Sequence, residues 1–208
     1  MEWLSVSRRG IDFLDLENLQ QTLTRDVKAD PTRAFLLFSE PLPVYTYGRK
    51  ASASDFSIGG APCVAVIRGG RWTYHGPGQV VLYPIVQLRA LGLGSLSVSQ
   101  FLRILARAVL AVLSEYGISA TLRCNPLGLY VGESKLVSFG IHVSQGVTSH
   151  GLALYMTDQS QAFSRIHPCG ILGQRITSLQ ELGVAVEWES LQSALSHHIK
   201  KGFKNPKN

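Results

Sequence analysis

Cysteine is scarce in this chain, acidic residues are outnumbered and long apolar runs are missing. The three cysteines, Cys63, Cys124 and Cys169, are an odd number with no C-x-x-C pair, which argues against a disulfide framework and against a structural zinc site. Reduced thiols are expected. The histidines do not restore a metal reading: His75, His142, His150 and His167 show no i, i+4 pairing, and His197-His198 sit near a basic tail. No stretch approaches the roughly 18 apolar residues of a membrane span. The start, Met1 to Ser5, lacks a basic segment leading into an apolar one. These absences predict a cytoplasmic protein with no metal and no membrane partner. No internal repeat, Ser/Pro tract or low-complexity block marks a boundary, so a single domain is expected over residues 1–208, with residues 200–208 as a basic tail.

What is present is a hydrophobic content of 45%, enough for one sizeable core, and a net charge of +6. Basic character implies acidic partners. Nucleic acid is not the reading, because no recognition motif accompanies the scattered arginines and lysines. Helix-period spacing runs from Val98 to Tyr116 on Phe101, Leu105, Val109 and Val112, with Ser95 or Ser97 as a cap and Gly117 as a stop. Further amphipathic helices are expected over Asp12 to Val27 and Trp188 to Ile199. Strand-like runs are more numerous: Ala34 to Phe38, Val44 to Tyr47, Val64 to Ile67, Val80 to Val86, Ile118 to Leu122, Leu129 to Val131, Leu136 to Val143 and Val147 to Tyr155. Many follow one another with no helix between them. That order predicts an α+β fold, a mixed and largely antiparallel sheet flanked by helices.

The most informative stretch is Arg68-Gly69-Gly70-Arg71-Trp72-Thr73-Tyr74-His75-Gly76-Pro77-Gly78-Gln79. Its four glycines and one proline lie between two apolar runs and read as a tight loop. Glycine lets backbone N–H groups approach a ligand, while Arg68, Tyr74, His75 and Gln79 bring polar groups to the same place.

This run resembles the signature of the bacterial octanoyl-acyl carrier protein:protein octanoyltransferases. Gly128-Leu129-Tyr130-Val131 with Lys135, then His150-Gly151-Leu152-Ala153-Leu154, then Pro168-Cys169-Gly170 resemble the same family in the same order. The resemblance implies the biotin/lipoate protein ligase catalytic-domain fold. It implies a monomeric acyltransferase that moves an octanoyl group from acyl carrier protein to the acceptor lysine of lipoyl domains, those of 2-oxoacid dehydrogenase E2 subunits and the glycine cleavage H protein. No cofactor, ATP or metal is expected, because the acyl group arrives as a thioester.

By the same resemblance, Cys169 is the nucleophile that carries the acyl group and Lys135 lowers its pKa and acts as acid and base. On sequence alone a lone cysteine is more often a buried hydrophobe and a strand-start lysine an exposed one. A thiol near pKa 8.5 is only a few per cent ionised at neutral pH, and an ammonium at about 4 Å would lower it by roughly one to three pH units. Cys63, beside an apolar run, reads as core, and Cys124 as a strand-end residue. The acyl slot is implied along Arg68, Gly69, Gly70, Arg71, Trp72, Thr73, Tyr74 and His75, with Ser138, Phe139 and Gly140, and with Gly151, Leu152 and Ala153. Candidates for stabilising the oxyanion or orienting the substrate are the N–H groups of Gly76, Gly78 and Gly170 and the side chains of His75 and His150.

Three positions depart from the family pattern: Phe139, Tyr155 and His167. A ring at Phe139 that points inward would shorten the slot. Two alternatives stand beside the transferase. An ATP-dependent lipoate–protein ligase on the same fold would have no need of Cys169, and a non-catalytic binding module would need neither Cys169 nor Lys135.

Overall fold

A computed structural model describes residues 1–52, 62–91, 98–166 and 174–204. Among these, seven strands form one sheet in the order β1-β2-β6-β10-β9-β8-β7. They are β1 Glu2–Ile11, β2 Arg33–Pro41, β6 Gln79–Ile85, β7 Thr121–Cys124, β8 Leu127–Val131, β9 Ser134–Ser144 and β10 Val147–Tyr155. Only β1 and β2 pair in parallel; the remaining pairs are antiparallel. A second sheet, ordered β4-β3-β5, joins β3 Val44–Tyr47, β4 Cys63–Ala65 and β5 Trp72–His75.

The large sheet is covered on both faces, and every residue of its inner strands β6 and β10 is buried, the polar Gln79, Thr148, Ser149 and His150 included. On one face lie α2, Val98–Glu115, and α4, Trp188–Lys204, the short helix between them in the chain being α3, Ser160–Phe163. Phe101, Leu105, Val109 and Val112 of α2 and Leu191, Leu195 and Ile199 of α4 pack there with Leu36, Leu82 and Leu152. Full burial of each such side chain contributes roughly 1.5–3 kcal/mol. On the other face lie α1, Phe13–Ala29, and the small sheet, which pack on Phe35, Leu37, Val81, Tyr83 and Ala153.

Local chemistry sets the helix ends. The Asp12 carboxylate accepts the Leu14 N–H at 2.8 Å and caps α1. Helix α2 stops at Gly117, whose φ of +73° suits glycine, and the Ile118 N–H closes back on the Leu113 carbonyl at 2.9 Å. Ser95 and Ser97, read as caps for α2, lie outside the described residues.

Three sequence readings need correction. The run from Arg68 to Gln79 is not a plain loop, because Trp72–His75 is strand β5. The Val64 to Ile67 run shrinks to Cys63–Ala65, an edge strand on which only Val64 faces inward, so Cys63 is exposed rather than core. Strand β1 was missed, although Leu4 and Val6 alternate with Ser5 and Ser7 in its middle.

Candidate active site

On the face that carries the small sheet, a cavity opens between β5, its preceding loop and the middle of the large sheet. Arg68 to Thr73 and His75 form one wall. Ser138, Phe139 and Gly140 of β9, with Gly151, Leu152 and Ala153 of β10, form the floor. Tyr83, Leu127, Lys135, His150, Phe163 and Ile176 complete it. Of the slot residues expected from sequence, only Tyr74 is missing; its ring lies against those of Tyr45 and Phe163.

Glycine is required at two places, one beside Lys135 and one in this floor. A Cβ on Gly128 would come within 2.8 Å of Lys135 Cε, and a Cβ on Gly151 would run into the Leu82 carbonyl oxygen. The first vacancy lets the Lys135 chain lie flat across β8. Lys135 itself is only 2% exposed, which overturns the reading of an exposed strand-start lysine. Its Nζ stands 5.3 Å from the centre of the Tyr130 ring, a cation–π placement that offsets part of the cost of burying charge. Its backbone is clamped by the segment that follows the P-C-G motif: the Lys135 N–H donates to the Arg175 carbonyl and the Thr177 N–H donates to that of Lys135, each at 2.9 Å. Cys169 and Gly170 lie outside the described residues. On the N-terminal flank Phe163 lines the cavity and Ile166 is buried beside it in the same core.

Arg68 organises the wall. Its Nη1 donates to the carbonyls of Gly69 and Arg71 at 3.0 and 2.9 Å, and its Nη2 to the carbonyl and hydroxyl of Thr46 at 3.0 and 2.8 Å. Its stem passes over Gly140, where a Cβ would come 3.1 Å from Arg68 Cδ.

The histidines are held neutral. Burial first, then the Arg68 charge, pushes His75 down to about 4. Burial, then Arg68, His142 and His75, pushes His150 down to about 3. The Gln79 amide donates to Tyr74 O and Gln159 Oε1, which turns its oxygen toward His75 Nδ1 at 3.2 Å. The proton of neutral His75 is therefore on Nδ1, and Nε2 has none to give an oxyanion. The Gly76-Pro77-Gly78 turn is also a poor oxyanion donor, because it lies away from this cavity and the Gly78 N–H donates to Glu40 Oε1 at 2.9 Å.

His150 takes the left-handed conformation, φ 55°, unusual for a residue other than glycine. Helix α1 secures it: Gln20 Oε1 accepts the His150 N–H at 2.6 Å, and Gln20 Nε2 donates to Glu17 Oε1 at 3.1 Å. Burial, opposed by Gln20 and Arg68, raises the Glu17 carboxyl to about 7. Glu17 Oε1 is 3.7 Å from His150 Nδ1. With His150 protonated only near pH 3 and Glu17 ionised only near 7 or above, the two are not charged together. Sequence reasoning missed Glu17 and Gln20, but a signal existed: Gln20 interrupts the apolar stripe of Phe13, Leu16, Leu23 and Val27.

Phe139 corrects an expectation. Its ring packs with Ile141 and Val143 against the α2–α4 core, while its neighbours Ser138 and Gly140 face the slot. It does not shorten the slot with its side chain. Tyr155 is fully buried beneath it, its hydroxyl 2.6 Å from Ser138 Oγ. His167 lies outside the described residues.

Comparison with known proteins places this geometry. The lipoyl protein ligase A/B catalytic domain family matches residues 14–200. An octanoyltransferase of Methylococcus capsulatus is 42% identical over 77% of this chain and 76% of its own. The chain belongs to the octanoyltransferases. One of Alkalilimnicola ehrlichii is 36% identical over 90% of this chain and 86% of its own. Among solved structures, lipoate-protein ligase A bound with ATP superposes with a TM-score of 0.74 over 97% of this chain and 84% of its own, at 15% identity, a likeness of fold. The protein is thus a transferase enzyme on the lipoate ligase fold. Among the described residues no helix is long and apolar enough to cross a membrane.

Two outcomes follow. His75, His150 and His142 all have lowered folded pKa values, so below about 6.5 the unfolded chain binds protons that the native state refuses, and stability falls with pH. Glu17 acts oppositely between its ordinary value of 4.5 and about 7, where only the native state holds its proton. The urea midpoint should therefore decline as pH drops from 6.5, with Glu17 offsetting part of the decline down to about 4.5, and the contributions of His75 and His150 should be exhausted near pH 4 and pH 3. Separately, Phe139→Ala should lower stability by about 1–3 kcal/mol. In competition among octanoyl, decanoyl and dodecanoyl donors its chain-length preference should match that of the unmodified enzyme.

Proposed function

We propose that this enzyme takes an octanoyl group from acyl carrier protein onto Cys169 as a thioester and delivers it to the acceptor lysine of a lipoyl domain. The observation that carries the reading is the burial of Lys135 in the slot, with its backbone bonded to the segment that follows the P-C-G motif.

The chemistry runs in two balanced steps. The Cys169 thiolate, stabilised by the Lys135 ammonium, attacks the thioester carbonyl; the carrier thiolate leaves and takes the Lys135 proton. The acceptor amine then attacks the acyl-enzyme, the neutral Lys135 amine takes a proton from it, and the Cys169 thiolate departs. An amide has replaced a thioester, which drives the second step, and the original ion pair is restored. No ATP and no metal enter the scheme. The 2-oxoacid dehydrogenase E2 subunits and the glycine cleavage H protein are acceptors of the required kind.

The apolar floor and walls supply binding. Burying about six methylenes at roughly 0.8 kcal/mol each contributes on the order of 5 kcal/mol. Neutral His75 and His150 suit this role, since covering a charged imidazole with a hydrocarbon chain would cost its hydration.

Incubation with octanoyl carrier protein, without ATP or magnesium, should add one hydroxylamine-labile octanoyl group to the peptide containing Cys169. Mass spectrometry decides: an adduct on Cys63 or Cys124, no adduct, or strict dependence on ATP with free octanoate would overturn the scheme. Lys135→Met should move the pH profile of Cys169 alkylation upward by about one pH unit or more. An unmoved profile would remove the electrostatic role from Lys135.

A further inference from the structure

The slot has two distinguishable ends. Gly128 lies directly opposite Ser138 in the β8–β9 register, and the Lys135 chain lies against Gly128, so the amine end of the slot is level with Ser138. His150 pairs with Ile141 in the β9–β10 register, three residues further along β9. Three residues at roughly 3.3 Å each along β9, with two strand spacings of about 4.8 Å from β8 to β10, put these backbone points on the order of 14 Å apart, and the reach of the Lys135 and His150 side chains into the cavity they share leaves a span comparable with an extended octanoyl chain. An acyl group with its carbonyl at Lys135 therefore ends beside His150.

That far end is polar where a methyl terminus needs nothing polar. His150 is 2% exposed and lines the cavity, and its Nε2 is buried with no hydrogen-bond partner among the described residues. Leaving such a group unpaired is unfavourable. So is the left-handed backbone that aims it, which α1 maintains through the Gln20 bond to the His150 N–H. Two unfavourable features held at one point of a binding slot mark a ligand contact. We propose that the far end of the acyl slot is a hydrogen-bonding subsite on His150 Nε2 that accepts acyl chains ending in a hydroxyl, in addition to plain octanoyl. A terminal hydroxyl fits either imidazole tautomer, because it donates to a bare Nε2 and accepts from a protonated one. The Tyr83 ring, its centre 5.5 Å from that of the imidazole and inclined to it at 75°, keeps it in place.

This subsite rests on the acyl-slot reading above, and the test separates the two. The full-length enzyme is given acyl carrier protein loaded with octanoyl, 8-hydroxyoctanoyl or nonanoyl groups, the last two alike in size, and competing transfer rates to a lipoyl domain are measured. The 8-hydroxyoctanoyl group should transfer within about tenfold of octanoyl and ahead of nonanoyl. His150→Leu should reverse the order of the hydroxylated and nonanoyl chains, shifting their ratio by about tenfold or more, and His150→Gln should restore it. Nonanoyl ahead of 8-hydroxyoctanoyl in the unmodified enzyme overturns the subsite while leaving octanoyl transfer intact. So does an unchanged ratio in a folded His150→Leu variant. If that variant does not fold, the unmodified enzyme's order of the two chains decides alone. Failure to transfer octanoyl itself overturns the slot and the subsite together.

Discussion

The buried guanidinium of Arg68 is the constraint on which the rest of the site depends. It donates to the carbonyls of Gly69, Arg71 and Thr46 and to the Thr46 hydroxyl, which ties its own loop to the small sheet. Its stem packs over Gly140 and so fixes the distance between that loop and the large sheet. Its charge also helps keep His75 and His150 neutral and opposes the rise of Glu17. A lysine would keep the charge, but its single ammonium could not reach the same acceptors in a fixed plane.

The arrangement at Lys135 shows the same economy. A buried ammonium is tolerated where its stem has room to lie flat and its head meets an aromatic face. Gly128 supplies the room, and Tyr130, held by its hydroxyl bond to the Pro126 carbonyl at 3.0 Å, supplies the face. The residues that set the lysine thus come from the neighbouring strand, while the backbone of Arg175 and Thr177 sets its height above the sheet.

How much of this was legible in the sequence depended on whether the signal was local. Helices α1, α2 and α4 and the strands Val44–Tyr47 and Val147–Tyr155 were readable from periodicity because one stripe, or both faces, of each is buried. Strand β5 was hidden by the glycines on either side, although Trp72, Thr73 and Tyr74 are strong strand formers. Cys63 was misread because an apolar neighbour says nothing about which way an edge strand faces. The slot lining followed from motif resemblance, but the polar end did not. The link from Glu17 and Gln20 to His150 spans more than a hundred residues and has no local signature beyond one glutamine in an apolar stripe. Likewise, the proton position on His75 is set by Gln159, which no motif contains.

The order of strands has a consequence for how the protein comes into being. The central strand β6 is flanked by β2 on one side and β10 on the other, and β10 arrives about seventy residues later in the chain. The slot takes walls from Arg68, a floor from Gly140 and Gly151, and an end from Ile176. Such non-local closure is slow compared with helix formation. During synthesis the first two-thirds of the chain would emerge with one apolar face of β6 and an open edge waiting for β10, a state prone to association with other chains. The slot is therefore complete only once the last third of the chain has closed the sheet.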